Sequence, residues 1–157
     1  MKFTLSRIAY SIAQHLEPHF SGVVFYEDPV QQSTNAPAMF LQTRGASIQK
    51  KPSERYLWTL RLDLVYLLAF NLPDLQQKYQ AAAQIMDFYL QHFPYIEEPA
   101  TEEATPATAL IKTYNRDWAI DLDELHYRFE LRIWVTREEA ADIMRTLELN
   151  LEVVDGS

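Results

Sequence analysis

The sequence of 157 residues contains no cysteine and only three glycines. Without cysteine the chain cannot form disulfides, bind zinc or an iron–sulfur cluster through thiolates, or use a cysteine nucleophile. The scarcity of glycine, and the absence of a GxGxxG or GxxxxGK[ST] string, argue against a phosphate-binding loop. These absences exclude several common classes of enzyme, and we expect the protein to need no cofactor.

Positive charge is also scarce in this chain. Lysine and arginine total 14 residues against 22 aspartates and glutamates, which gives a formal net charge of -8 at pH 7. Proteins that hold nucleic acid through its phosphates normally carry a basic face. We therefore expect no tight binding of DNA, whereas DNA can pass close to the protein without sticking because like charges repel.

Long hydrophobic runs are missing as well. No segment approaches the roughly 20 apolar residues that a membrane-spanning helix requires. Residues 1–7 have apolar positions at helical spacing and lack the continuous apolar stretch of a signal peptide. We expect a protein that is made in the cytoplasm and has no membrane partner.

The apolar content, by contrast, is high. Apolar residues make up 48% of the chain and aromatic residues 13%, which suits a folded core and argues against disorder. The length fits one domain of ordinary size. We predict a single domain over residues 1–157, with a C-terminal end that is flexible from about residue 154.

Apolar residues at helical spacing predict two main helices. The first runs over Leu5–Leu16, with Thr4 as its N-cap. The second opens at Pro73-Asp74 and ends before Pro94. Residues 138–145 are predicted as a short helical turn.

Alternating apolar and polar residues predict the strands. The two clearest run from Tyr56 to Tyr66 and from Leu125 to Val135. Weaker strand patterns cover residues 22–26, 38–43, 108–114 and 147–153. We predict connections at residues 44–52, which we expect to be mobile, and 97–106, and a turn at 115–117. The order of elements indicates an α+β domain with a mixed, mostly antiparallel β-sheet and two main helices packed on one face.

Few residues suggest chemistry. His15 and His19 have the spacing of two zinc ligands on a helix, but a proline interrupts the helix between them and the string is not HExxH. We interpret them as polar residues at a helix end. Asp121, Asp123 and Glu124 form a carboxylate cluster that fits a solvated turn better than a metal or acid–base site. We predict no catalytic, cofactor-binding or metal-binding residue, and no enzyme activity.

The second face of the predicted sheet carries an unusual mixture of residues. Arginines recur on it, and Leu57, Val65 and Trp134 lie among them. One interpretation is a wet face with cross-strand ion pairs. The other is a face covered in part by another subunit, because arginine and aromatic residues are enriched at interfaces. The sequence leaves both open.

Several segments occur in an order that resembles the tail terminator, or tail completion, proteins of tailed bacteriophages. The resemblance covers the chain from about Ser6 to Val153, apart from an acidic stretch, Glu97 to Glu103, that departs from the family's pattern. The segments that carry it are Val24–Asp28, Val30–Gln32, Pro37–Leu41, Arg55-Tyr56, Trp118–Asp121, Leu125–Phe129 and the closing Met144-x-x-Leu147-x-Leu149-Asn150.

The resemblance implies a structural virion protein. Such a protein forms a ring, usually a hexamer, that caps the tail tube, terminates tail polymerisation and provides the surface for head or sheath attachment. The implied partners are further copies of the chain, the tail tube protein, and sheath and neck or connector proteins, with DNA only passing through the channel. The implied location is the head-proximal end of the tail, or a phage tail-like particle. Alternatives are a head–tail connector or neck ring protein, a monomeric binding module and a cryptic hydrolase.

A closed ring needs a contact between two different patches, and the sequence offers two oppositely charged segments for it. We predict that a basic connection meets an acidic loop of the neighbouring subunit, with apolar residues beside them. The alternative is two solvated loops that never meet. The predicted contact residues are Arg44, Ile48, Lys50, Lys51, Tyr95, Ile96, Glu97, Glu98, Glu102 and Glu103, with Leu57, Val65 and Trp134 as secondary candidates.

Overall fold

One mixed β-sheet organises the chain in the computed structural model, which describes residues 3–26, 36–97, 108–121, 123–147 and 151–155. Within these ranges three helices and seven strands alternate irregularly, as expected of an α+β domain. In chain order they are α1 (Leu5–Leu16), β1 (Val24–Tyr26), β2 (Ala38–Lys51), β3 (Arg55–Leu67), α2 (Leu75–Tyr89), β4 (His92–Ile96), β5 (Thr108–Asp121), β6 (Glu124–Val135), α3 (Arg137–Leu147) and β7 (Leu151–Asp155).

The strand order across the sheet is β1-β2-β3-β6-β5-β4, and β7 pairs with β2. Strands β1 and β7 run parallel to β2 and share its outer edge, β1 at Ala38–Phe40 and β7 at Ala46–Lys50. All other pairings are antiparallel. The prediction of a mixed, mostly antiparallel sheet is confirmed.

All three helices pack on one face of the sheet, which we call the inner face. The inward residues of β3 and β6, such as Leu60 and Leu131, are fully buried beneath α1 and α2, as the alternation predicts. Residues 138–145, predicted as a short turn, belong to the 11-residue helix α3. This helix adds Ala140 and Ile143 to the same core.

Helix α1 is held in place by polar contacts of its first two turns. The Thr4 hydroxyl accepts a hydrogen bond from the Arg7 amide at 3.2 Å, which confirms the predicted N-cap. Arg7 Nε donates to the Ile96 carbonyl at 3.2 Å, and the Ile96 amide donates to the Ser11 hydroxyl at 2.9 Å. These bonds fix α1 against β4.

The predicted mobile connection at residues 44–52 is wrong. Strand β2 continues without a break to Lys51 and pairs with β3 along its length. Arg44 is the extra residue of a β-bulge. The continuation of the strand was not predicted because a bulge interrupts the two-residue period of apolar residues. Beyond the bulge, Ala46 and Ile48 resume the alternation and are buried. Gly45 lies so close to Arg61 that an added Cβ would stand 2.9 Å from its guanidinium.

Four other boundaries differ from the predictions. Residues 92–96 form strand β4, which the sequence did not reveal because Pro94 lies in its middle. The predicted turn at 115–117 is an irregularity inside β5, where Asn115 has a φ of 51°. Leu147 was predicted to begin the last strand, but it ends α3. The last strand starts at Leu151 and pairs with β2 as far as Asp155, one residue past the predicted start of the flexible end.

Candidate assembly surface

The outer face of the sheet turns away from all three described helices, and it carries a row of apolar side chains. Leu57 pairs with Trp134 across β3 and β6, and Pro94 pairs with Leu110 across β4 and β5. Trp134 and Leu110 line one groove of about 290 Å³. The four residues therefore form a continuous row across four strands, which we call the apolar band.

The apolar band is open to solvent at its centre. Leu110 is 69% exposed and Trp134 is 50% exposed, whereas their chain neighbours Ile111 and Ile133 are almost fully buried. Alternation along a strand sends successive side chains to opposite faces, so this contrast is built into the sequence of β5 and β6. An exposed apolar cluster rimmed by polar residues marks an interaction surface.

Three cationic side chains flank the apolar band. The guanidinium carbon of Arg55 lies 4.4 Å from the ring centroid of Trp134, and that of Arg132 lies 4.3 Å from the centroid of Tyr114. The Lys112 ammonium stands 5.5 Å from the same Tyr114 ring. These distances suit cation–π attraction. Arginine, tryptophan and tyrosine are the residues that most often dominate the binding energy of interfaces.

The remaining part of the outer face is closed by a polar cluster around Asp63. This carboxylate is only 3% exposed and accepts a hydrogen bond from Gln42 Nε2 at 3.1 Å. His126 Nδ1 lies 2.8 Å from Asp63 Oδ2, and His126 Nε2 lies 3.0 Å from Glu124 Oε2. Because carboxylate oxygens only accept, a ring nitrogen of His126 that carries a proton donates to the carboxylate beside it. Arg128 Nε approaches Asp63 Oδ2 to 4.0 Å.

Within one subunit, the oppositely charged residues of the predicted contact lie far apart, and their pairing between neighbouring subunits stays a prediction. Lys50 and Lys51 end β2, while Glu97 follows β4. Strands β3, β6 and β5 lie between them, so they are about 19 Å apart at ordinary strand spacing. Arg44 is exposed at the bulge of β2. Glu98, Glu102 and Glu103 lie outside the described residues.

Three predicted contact residues are wrong, because the structure buries them in their own subunit. Ile48 and Tyr95 are 0% exposed and belong to the inner core, where Tyr95 receives a hydrogen bond from the Thr4 amide at 3.2 Å. Val65 is also 0% exposed, although it lies on the outer face between Phe40 and His126. Ile96 is partly buried at the end of β4.

The secondary candidates Leu57 and Trp134 lie in the apolar band, and sequence reasoning missed their neighbours. Leu110 was assigned to a weak strand, and nothing in its local pattern connects it with Trp134. Only the pairing of β5 with β6 brings them together. The arginine-rich alternation of β6 was the one available signal, since it places Arg132 on the same face as Trp134.

The two histidines that suggested chemistry have structural partners, and so does the backbone of Asp123 in the carboxylate cluster. His15 Nε2 donates to the Tyr89 carbonyl at 2.8 Å, and the His19 ring stacks on Tyr89 with centroids 3.6 Å apart. Both histidines therefore hold the end of α2. The Asp123 carbonyl accepts a hydrogen bond from Tyr79 at 2.6 Å. Among the described residues no group of three or more potential ligands could hold a metal ion.

A domain with an exposed apolar band flanked by arginines has the features of a subunit that assembles with other proteins. A family model described as phage tail terminator protein matches residues 7–143, and the chain therefore belongs to the phage tail terminator protein family. This family is structural and not enzymatic, which gives the chain a structural role in the phage tail. No curated protein matches the chain. In the described ranges no helix is both long and apolar enough to span a membrane.

Proposed function

We propose that the chain forms a homo-oligomeric ring, a hexamer, at the head-proximal end of the tail tube. The ring stops tube polymerisation and offers the surface to which the head or the sheath attaches. The apolar band is the observation that supports this proposal. It places Trp134 and Leu110 in solvent on a subunit whose family has a structural role in the tail.

The chemistry of the apolar band suits contact between subunits. In an isolated monomer, Trp134 is 50% exposed and Leu110 is 69% exposed to water. A partner that covers these side chains removes apolar surface from solvent, which is favourable. The stacked arginines stay charged at the rim, where they select the partner and its orientation. A contact of this kind between two different patches closes into a ring when the rotation between subunits permits it.

The proposal is tested with the tail tube protein of the same phage. Tubes are assembled with and without the chain, and their lengths and ends are measured by electron microscopy. We expect the chain to shorten the tubes and to form a ring on one end only. Light scattering on the isolated assembly should give about 110 kDa, six times the 18.4 kDa of one chain.

Two results would contradict the proposed function. In the first, tube lengths stay the same at every concentration of the chain. In the second, the chain binds along the tube wall and not at an end. A ring of another size at the tube end would keep the capping role and correct the number of subunits.

A further inference from the structure

We propose that the apolar band and its three flanking cations receive the acidic segment of a second copy of this chain. The acidic segment is residues 97–103, with the sequence EEPATEE, which holds four glutamates and no basic residue. This inference rests on the proposed ring and names the partner of the band within it.

Charge complementarity supports an acidic partner. The chain has a net charge of -8, yet Arg55, Lys112 and Arg132 stand together around two aromatic rings. A guanidinium beside an aromatic ring keeps N–H groups that can bind carboxylates in pairs. The negative charge of the chain as a whole opposes a nucleic acid at the same surface.

The positions of donor and acceptor suit a ring. The acidic segment leaves the sheet after Ile96, and the chain returns at Thr108, which pairs with Ile96. The acceptor lies on the outer face, centred on Trp134 of β6. Because these are different patches, each subunit can donate its segment to one neighbour and accept the segment of the other. This arrangement is heterologous and is not self-complementary.

The end of β2 is a weaker acceptor for the acidic segment. Lys50 and Lys51 supply positive charge there, but their apolar neighbour Ile48 is fully buried. A contact at this site would depend on exposed charges alone, which contribute little and are screened by salt. The apolar band offers exposed apolar surface and cations at one place.

The experiment uses charge reversal in the full chain, with assembly mass as the readout at low and high salt. One variant reverses the acceptor, Arg55→Glu with Arg132→Glu, and a second reverses the donor, Glu102→Lys with Glu103→Lys. A third combines all four changes. The matched control is Lys78→Glu with Arg145→Glu, which reverses an equal charge at exposed positions of α2 and α3, away from the apolar band.

We expect each reversal alone to raise the concentration for half-assembly by about tenfold or more at low salt, and the combination to restore most of the loss. High salt should shrink these differences, because it screens the charges. The control should assemble like the parent. The alternative is that the acidic segment contacts the band of its own subunit. In that case none of the charge reversals would change the assembly mass, and that result would overturn the inference.

The failures of the two proposals are distinguishable. If the parent forms a ring and caps tubes while both reversals assemble normally, the ring stands and the acidic segment is not the partner. If the Lys78/Arg145 control is impaired as much as the acceptor variant, the effect comes from overall charge and the band is not the acceptor. If the parent neither assembles nor caps tubes, the proposed function itself fails.

Discussion

Ile133 and Trp134 are neighbours in strand β6 and have opposite surroundings. Ile133 is 5% exposed and packs in the core beneath the helices, while Trp134 is 50% exposed on the outer face with Arg55 stacked on its ring. The two faces of the same strand thus perform different tasks. The inner face is closed by the protein's own helices, and the band on the outer face is exposed, which is why we propose it as the contact with a partner.

The outer face itself shows the same contrast at shorter range. Around Asp63, one carboxylate oxygen is hydrogen-bonded to Gln42 and His126, and Asp63 is nearly excluded from water. Around Trp134 the cations stack on rings, and apolar surface stays exposed. The polar cluster connects β2, β3 and β6 through side-chain hydrogen bonds, whereas the apolar band leaves its central side chains exposed.

The largest expected effect on stability comes from the inner face of the sheet. Leu131 is 0% exposed in the centre of β6, so Leu131→Ala removes buried methyl groups and leaves a cavity. We expect a loss of about 2–5 kcal/mol in the free energy of unfolding. Chemical denaturation of the variant and the parent measures it, and unchanged stability would mean that the inner face is assigned to the wrong side of the strand.

The next effect concerns the polar cluster. Asp63→Ala removes the acceptor that serves Gln42 and His126, and it leaves two partly buried donor groups without this partner. We expect a loss of about 1–3 kcal/mol in the free energy of unfolding. Asp117→Ala is the control, since Asp117 is exposed on β5, two strands from Asp63, and its loss should cost no more than about 0.5 kcal/mol. Equal effects of the two changes would refute a special role for Asp63.

A smaller effect is expected from pH through Tyr127. Burial, followed by its hydrogen bond to Asp87 at 2.7 Å, raises the pKa of the Tyr127 hydroxyl above its ordinary value of 10. The neutral phenol is therefore favoured in the folded state, and this stability is complete below pH 10 and is lost as pH rises above it. Tyr127→Phe should be less stable at pH 7 by about 1 kcal/mol.

The same substitution should weaken the dependence of stability on alkaline pH. Above pH 10 a tyrosine with a raised pKa stays protonated in the folded state and loses its proton in the unfolded state. Each such tyrosine lowers the free energy of unfolding by up to about 1.4 kcal/mol per pH unit. Burial also raises the pKa of Tyr66, Tyr79 and Tyr95, so some dependence remains in the variant. Identical slopes for Tyr127→Phe and the parent between pH 10 and 11 would contradict the predicted contribution of Tyr127.

Local periodicity predicted the parts of the fold in which it is uninterrupted. The strands around Leu60 and Leu131 and the helix around Ile12 are long, regular and buried where the pattern places them. The second half of β2 was missed because the bulge at Arg44 shifts the period. Strand β4 was missed because its central residue is Pro94.

The candidate surface could be predicted only in part, for a different reason. Trp134 stands out in its own strand, but Leu110 is more than twenty residues earlier in the chain. Their meeting depends on the register between β5 and β6, which is a long-range property. Val65 shows the reverse error, since it lies on the outer face as predicted and is nevertheless buried.

The measurement that tests the account most directly is the assembly mass of Trp134→Ala beside that of Phe88→Ala, with thermal unfolding of both. Phe88 is 68% exposed on α2, outside the apolar band, and is therefore the matched control. We expect Trp134→Ala to keep the stability of the parent within about 0.5 kcal/mol and to need roughly 30-fold more protein to assemble, as for an interface residue worth about 2 kcal/mol. Phe88→Ala should assemble normally. If Trp134→Ala forms the same ring at the same concentration as the parent, the apolar band is not the contact between subunits.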